Sequence, residues 1–110
     1  MAEFVKGDIV VVPFPFTDLT QAKRRPALVL AALEGDDIIL CQITSKSIHD
    51  SYSIHISVDD FITGSLHQSS NVRPNRLFTA DKDIVLYKVG RINSQSMHSI
   101  IERVFTNLQN

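Results

Sequence analysis

The sequence predicts a small, mainly antiparallel α+β fold, a half-open β-barrel with one C-terminal helix, and three observations carry that prediction. Short apolar runs such as "IVVVPF" and "IILCQIT" recur between turn-forming residues rather than between helical stretches. The segment "SYSIHISVDDF" alternates, with Tyr52, Ile54, Ile56 and Val58 on one face and Ser53, His55 and Ser57 on the other. Only the end of the chain changes period: Met97, Ile100, Ile101, Val104 and Leu108 recur at helical spacing.

Each element follows from local chemistry. Ile9 to Phe14 reads as a first strand, entered through Gly7 and Asp8 and checked by Pro13, which cannot donate to a ladder. "PFPFTDLTQAKRR" reads as a loop, and Pro26 marks the boundary at which "PALVLAAL" begins a second strand. "EGDD" is a tight-turn signal, so "IILCQIT" pairs back as a third, central strand that emerges at Thr44 and Ser45. The alternating segment is a half-buried strand. "SSNVRPNRLFTAD" and "IVLYKVGRI" are further β segments separated by Asp81, Lys82 and Asp83, and Pro74 makes the first irregular or an edge. Asn93 or Ser94 is the N-cap of a terminal amphipathic helix whose apolar face covers the sheet.

At 110 residues the chain is expected to be a single domain, since dividing it would leave two undersized cores. A composition of 44% hydrophobic and 21% charged residues is that of an ordinary globular protein. Eleven Lys and Arg against 12 Asp and Glu exclude an argument for nucleic acid from global charge, so any such argument must rest on where cations cluster. Cys41, the one cysteine, excludes an internal disulfide and reads as a buried small hydrophobe. The N-terminal "MAEFVKGD" fits neither a signal peptide nor a membrane span, and a cytoplasmic location is expected.

Four glycines are too few for a phosphate-cradling loop or a dinucleotide fingerprint. His49, His55, His67 and His98 lack the paired spacing of metal ligands, and neither a metal nor another cofactor is expected. The carboxylate pairs Asp36–Asp37 and Asp59–Asp60 suit turns and caps. What remains is a polar set at strand ends: Arg24 and Arg25, then Thr44, Ser45 and Lys46, then Arg73, Asn75 and Arg76. Guanidinium groups can bind two phosphate oxygens at once, and hydroxyls can orient an oxygen, so this set suits a phosphodiester if the fold brings it together. Phe14 and Phe16, beside the basic cluster, are either loop anchors or stacking groups of a lid.

In order along the chain, "KGDIVVVPFPFTDLTQAKRRPALVL", "CQITS", "SSNVRPNRLFTAD" and "KVGRINSQSMHSIIERV" resemble the MazF/PemK family of toxin endoribonucleases of type II toxin–antitoxin systems. The resemblance implies an SH3-like barrel, a homodimer, a cognate antitoxin, and metal-independent cleavage of single-stranded mRNA by the ribose 2′-hydroxyl. It places Arg25 at the scissile phosphate, with Thr44 and Ser45 beside it, and makes Arg73 a proton donor or transition-state stabiliser. Arg24, Lys46, Asn75 and Arg76 fall among the substrate contacts. Asn75 stands where Kid-like members carry an acid, and an amide cannot serve as general base; Asp18 or His67 would have to supply one from elsewhere. Two other readings stay open: a noncatalytic member that binds RNA or antitoxin, and a CcdB-like toxin that binds DNA gyrase.

Overall fold

The computed structural model describes residues 3–14, 23–48 and 50–110. Phe16, Asp18 and His49 lie outside the described residues, as does the Phe14 side chain.

Among the described residues seven strands run in chain order: β1 (Asp8–Phe14), β2 (Lys23–Ala32), β3 (Asp37–Thr44), β4 (Ile54–Ile56), β5 (Phe61–Gly64), β6 (Ser70–Asp81) and β7 (Tyr87–Ile92). They form one sheet in the order β4-β6-β3-β2-β1-β7-β5, with antiparallel pairing throughout. The two edge strands, β4 and β5, are consecutive in the chain. Laid flat, seven strands would set those edges about 29 Å apart, whereas the five steps from Ile56 to Phe61 reach at most about 18 Å. The sheet therefore curls into a half-barrel. Where β5 meets β7, Gly64 pairs with Gly90, and a Cβ on Gly90 would lie 2.4 Å from the Thr63 carbonyl oxygen.

The helix α1 (Ser94–Leu108) starts on Asn93, whose side chain accepts the Ser96 N–H at 2.7 Å. It buries Met97, Ile100 and Val104 against Ile9, Leu28, Cys41, Ile43, Ile56, Val72 and Ile92, the concave face of the sheet. Leu108, expected on this face, is largely exposed. The opposite face carries a second cluster of Val10, Val12, Ala27, Val29, Ile38 and Leu40. The central β1 and β2 are thus buried on both sides, which explains their near-continuous apolar runs. Cys41 is buried as expected, and burial pushes its thiol up to about 12.

Two boundaries differ from expectation, and Pro74 acts as expected. Strand β2 begins at Lys23, so Arg24 and Arg25 belong to the strand and Pro26 lies within it, opposite Val11. The ladder to β3 starts only at Ala27, so on that side β2 is still an edge at Pro26 and the missing N–H costs no bond. The alternating segment gives only the three residues of β4, leaving Val58 exposed in a 3₁₀ turn, Val58–Asp60. Side chains compete for its backbone: Asp50 accepts the Tyr52 and Ser53 amides, and Asp60 accepts the Ser57 amide at 2.8 Å. Within β6 the pairing jumps from Gln42–Arg73 to Cys41–Leu77, so Pro74, Asn75 and Arg76 form a bulge just beyond the last β4 pair. Pro74 thus makes β6 both irregular and locally an edge.

Asp8 is fully buried where β1 begins, accepting the Val5 amide at 2.9 Å, Arg91 Nε at 2.8 Å and the Lys88 ammonium at 3.2 Å. Burial alone would raise its pKa, but these partners outweigh it and hold the carboxyl below the ordinary 3.8. The folded state therefore binds fewer protons here than the unfolded chain. The contribution is complete above the unfolded value and is lost as pH falls through the folded one. Acid titration of unfolding should show stability dropping below about pH 4. Asp8→Asn should flatten that limb and cost about 1–3 kcal/mol at neutral pH; an unchanged acid limb would contradict the assignment.

Candidate active site at the strand ends

Because β6, β3 and β2 are antiparallel neighbours, the start of β6, the end of β3 and the start of β2 meet at one edge of the sheet. Ala27–Gln42 is the last pair of the β2–β3 ladder at this edge; Arg25 and Thr44 each lie two residues beyond it on their strands, and Thr44 pairs with Asn71. At this edge lies an open cleft of about 260 Å³. Arg24 and Arg25 contribute to one wall; Thr44, Ser45 and Ser70 bring hydroxyls; His67 and Gln68 come from the β5–β6 connection; Pro26, Ile43 and Leu66 supply apolar surface.

None of these lining residues is acidic. Among the described residues Arg24 and Arg25 have no carboxylate partner, whereas Arg73, Lys82, Lys88 and Arg91 each have one. In a chain of net charge −1 this is a local excess of unneutralised positive charge. With Arg25 half-buried, Arg24 exposed and hydroxyl side chains lining the same cleft, it favours an anionic oxygen. The turn below it is tied down: Thr44 Oγ1 accepts the Lys46 amide at 3.2 Å, and Asn71 Nδ2 donates to the Lys46 carbonyl at 3.0 Å.

The other residues singled out in the sequence do not line this cleft. Lys46 anchors the turn through its backbone and is exposed. Arg73 pairs with Gln42 in register, so it shares a sheet face with Ala27 and Arg25, but its Nη2 donates to Asp50 at 3.1 Å. Slight burial would raise the Asp50 pKa; the Tyr52 and Ser53 amides and the Arg73 charge outweigh it and lower it, so the pair is ionised at neutral pH. The Arg73 Nε and the facing Gln42 Oε1 are both buried and, among the described residues, unbonded. Asn75 and Arg76 are exposed in the β6 bulge. His55, on β4 opposite Asn71, is exposed and outside the cleft, and His98 lies beside Glu102 at 2.9 Å on the helix.

The sequence reading undervalued His67 and missed Gln68 and Ser70. Nothing in sequence spacing ties residues 66–70 to residue 25; the tie appears only once β6 is placed next to β3. A larger cleft of about 390 Å³ lies where α1 meets β7, lined by Ile62, Met97 and Ile101 with Lys6, Arg91 and His98. Size favours it, but Arg91 is already committed to Asp8 and most of its walls are apolar. The strand-end cleft brings Arg24 and Arg25, without carboxylate partners among the described residues, together with the hydroxyls of Thr44, Ser45 and Ser70, residue types that suit a phosphodiester. Among the described residues no three His, Cys, Asp or Glu side chains gather as metal ligands. No described helix is long and apolar enough to cross a membrane.

Residues 5–107 match the family described as the PemK-like, MazF-like toxin of type II toxin–antitoxin systems. The chain belongs to the PemK/MazF toxin family. No curated protein matches the sequence. Among solved structures, PemK/MazF architecture recurs in an endoribonuclease from a mycobacterial species, with a TM-score of 0.74 at 18% identity over 99% of this chain and 94% of that one. An endoribonuclease in complex with its cognate antitoxin, also mycobacterial, gives 0.76 at 15% identity over 97% and 96%. MazF from Deinococcus radiodurans gives 0.75 at 18% identity over the whole of both chains, 100% and 100%. Likeness at these identities establishes that the chain has the PemK/MazF fold, the curled antiparallel sheet with one C-terminal helix.

Proposed function

We propose that this toxin is an endoribonuclease that cuts single-stranded RNA in the strand-end cleft, without a metal, by attack of a ribose 2′-hydroxyl on the adjacent phosphorus. The observation that carries the reading is that Arg24 and Arg25, which have no carboxylate partner among the described residues, line one open cleft with Thr44, Ser45 and His67, a cleft with no carboxylate among its described lining residues. The similar solved structures described as endoribonucleases support it.

Arg25 and Arg24 hold the non-bridging phosphate oxygens and stabilise the charge that accumulates there as the 2′-oxygen bonds to phosphorus. The Thr44 and Ser45 hydroxyls orient the phosphate or the flanking sugar. Arg73, neutralised by Asp50, serves to hold the β3–β4 connection rather than the reacting phosphate. The exposed Lys46, Asn75 and Arg76 lie along the route of the strand beyond the cleft. The products are a 2′,3′-cyclic phosphate and a free 5′-hydroxyl. The toxin acts as a homodimer in the cytoplasm, and a cognate antitoxin silences it by covering the cleft.

The test is a panel of single-stranded RNA oligonucleotides of varied sequence incubated with purified, antitoxin-free protein. Cleavage of at least one sequence is expected; a folded protein that cuts none overturns the reading.

A further inference from the structure

We infer that His67 accepts the proton of the attacking 2′-hydroxyl. This rests on the reading above and supplies the group that it lacks. Cleavage by an internal hydroxyl needs a proton acceptor within reach of the sugar next to the held phosphate. Within the cleft the candidates are few. Arginine remains protonated in proteins, and the Thr44, Ser45 and Ser70 hydroxyls and the Gln68 amide are not bases at neutral pH. Among the described residues no carboxylate lines the cleft; Asp50 is committed to Arg73, and Asn75 carries an amide in the β6 bulge. Imidazole, the side chain that exchanges protons around neutrality, is present once among the described lining residues, at His67.

The segment that carries His67 is fixed on both sides. Leu66 packs against the core beneath α1. The Gln68 carbonyl accepts the Ser70 hydroxyl at 3.1 Å, and Ser70 is 4% exposed at the start of β6. The imidazole itself is exposed, free to meet a substrate, on a backbone that does not have to be ordered first. Residues 66–68 also form the wall shared with an adjoining cleft of about 210 Å³, where Val58 and Phe61 provide apolar surface and Ser57 and Ser69 polar groups. His67 thus stands between a phosphate-sized cationic cleft and a second cleft with room for a neighbouring nucleoside. Across both clefts the charged groups among the described lining residues are Arg24 and Arg25.

The step balances without a co-reactant. An imidazole nitrogen takes the 2′-hydroxyl proton as the O2′–P bond forms; the P–O5′ bond breaks, and O5′ leaves with the electron pair and takes a proton from water. The imidazolium returns its proton to solvent.

The experiment measures kcat and KM against pH for the unmodified protein and for His67→Ala on an RNA that the unmodified protein cuts. His67→Ala should lower kcat by about 100-fold to 10,000-fold, leave KM within about threefold, and remove the loss of rate toward acid pH shown by the unmodified protein. Retention of that acid limb, a loss carried by KM alone, or a rate within about threefold of the unmodified protein would each overturn the assignment. If the unmodified protein cuts no RNA at all, the endoribonuclease reading and this one fall together; if it cuts and the variant matches it, only His67 is removed from the mechanism.

Discussion

Replacing Arg25 by alanine is expected to lower RNA cleavage by about 100-fold to 1,000-fold, the usual cost of removing one preorganised stabiliser of transition-state charge. The unfolding free energy should move by no more than about 0.5 kcal/mol, because the side chain is only half-buried and, among the described residues, has no carboxylate partner to strand. The loss should sit mainly in kcat, since the charge on the phosphate oxygens grows on the way to the transition state. Lysine keeps the charge but not the planar fork, so Arg25→Lys should recover only part of the rate. Arg73→Ala is the internal comparison. It releases Asp50 from its ion pair, so its main effect should be on stability and on the β3–β4 connection. Single-turnover cleavage combined with a denaturant titration of each variant distinguishes the two. If Arg73→Ala lost the rate while Arg25→Ala kept it, the cleft would be the wrong place.

Ile100→Ala is expected to be the most destabilising of the simple core truncations on α1, at about 2–5 kcal/mol. Ile100 has no exposed surface and packs against residues from several strands, so its removal leaves a void that the curled sheet cannot close without uncurling. The neighbouring Phe105 is 60% exposed, and Phe105→Ala should change stability by less than about 1 kcal/mol. Urea unfolding of the pair checks the claim; equal effects would mean that the helix is held by something other than this apolar face. The consequence reaches the site, because Leu66, which anchors the segment carrying His67, packs on the same core.

Much of this architecture was legible in the sequence because it follows from local chemistry. The helix came from five apolar residues at one spacing and an asparagine cap, and the structure places the cap at Asn93. Pro74 announced an irregular strand, and the structure shows a bulge at that point. Where a proline or a period misled, long-range pairing or side-chain competition was the cause. Pro26 does not end the loop because β3 has not yet joined β2 there. The alternating run stops at Ile56 because Asp60 captures the Ser57 amide. The site was legible in part. Arg24, Arg25, Thr44 and Ser45 sit at consecutive strand ends in one antiparallel pair, and such ends can be paired from sequence. Arg73 resembled them in chemistry, yet its ion pair with Asp50 is a contact between residues 23 apart that no local pattern signals. His67 was named as a possible base, but its place in the cleft could not be read, because it depends on β6 lying against β3.

The central claim is that the strand-end cleft cuts RNA through the substrate's own 2′-hydroxyl. It is tested most directly by two oligonucleotides of identical sequence, one all-ribose and one with a single 2′-deoxyribose at the nucleotide 5′ to the cut. The antitoxin-free toxin should cleave the first, leaving a 2′,3′-cyclic phosphate and a 5′-hydroxyl, and leave the second intact at that bond. Cleavage of both at the same position, with a 5′-phosphate in the products, would contradict it.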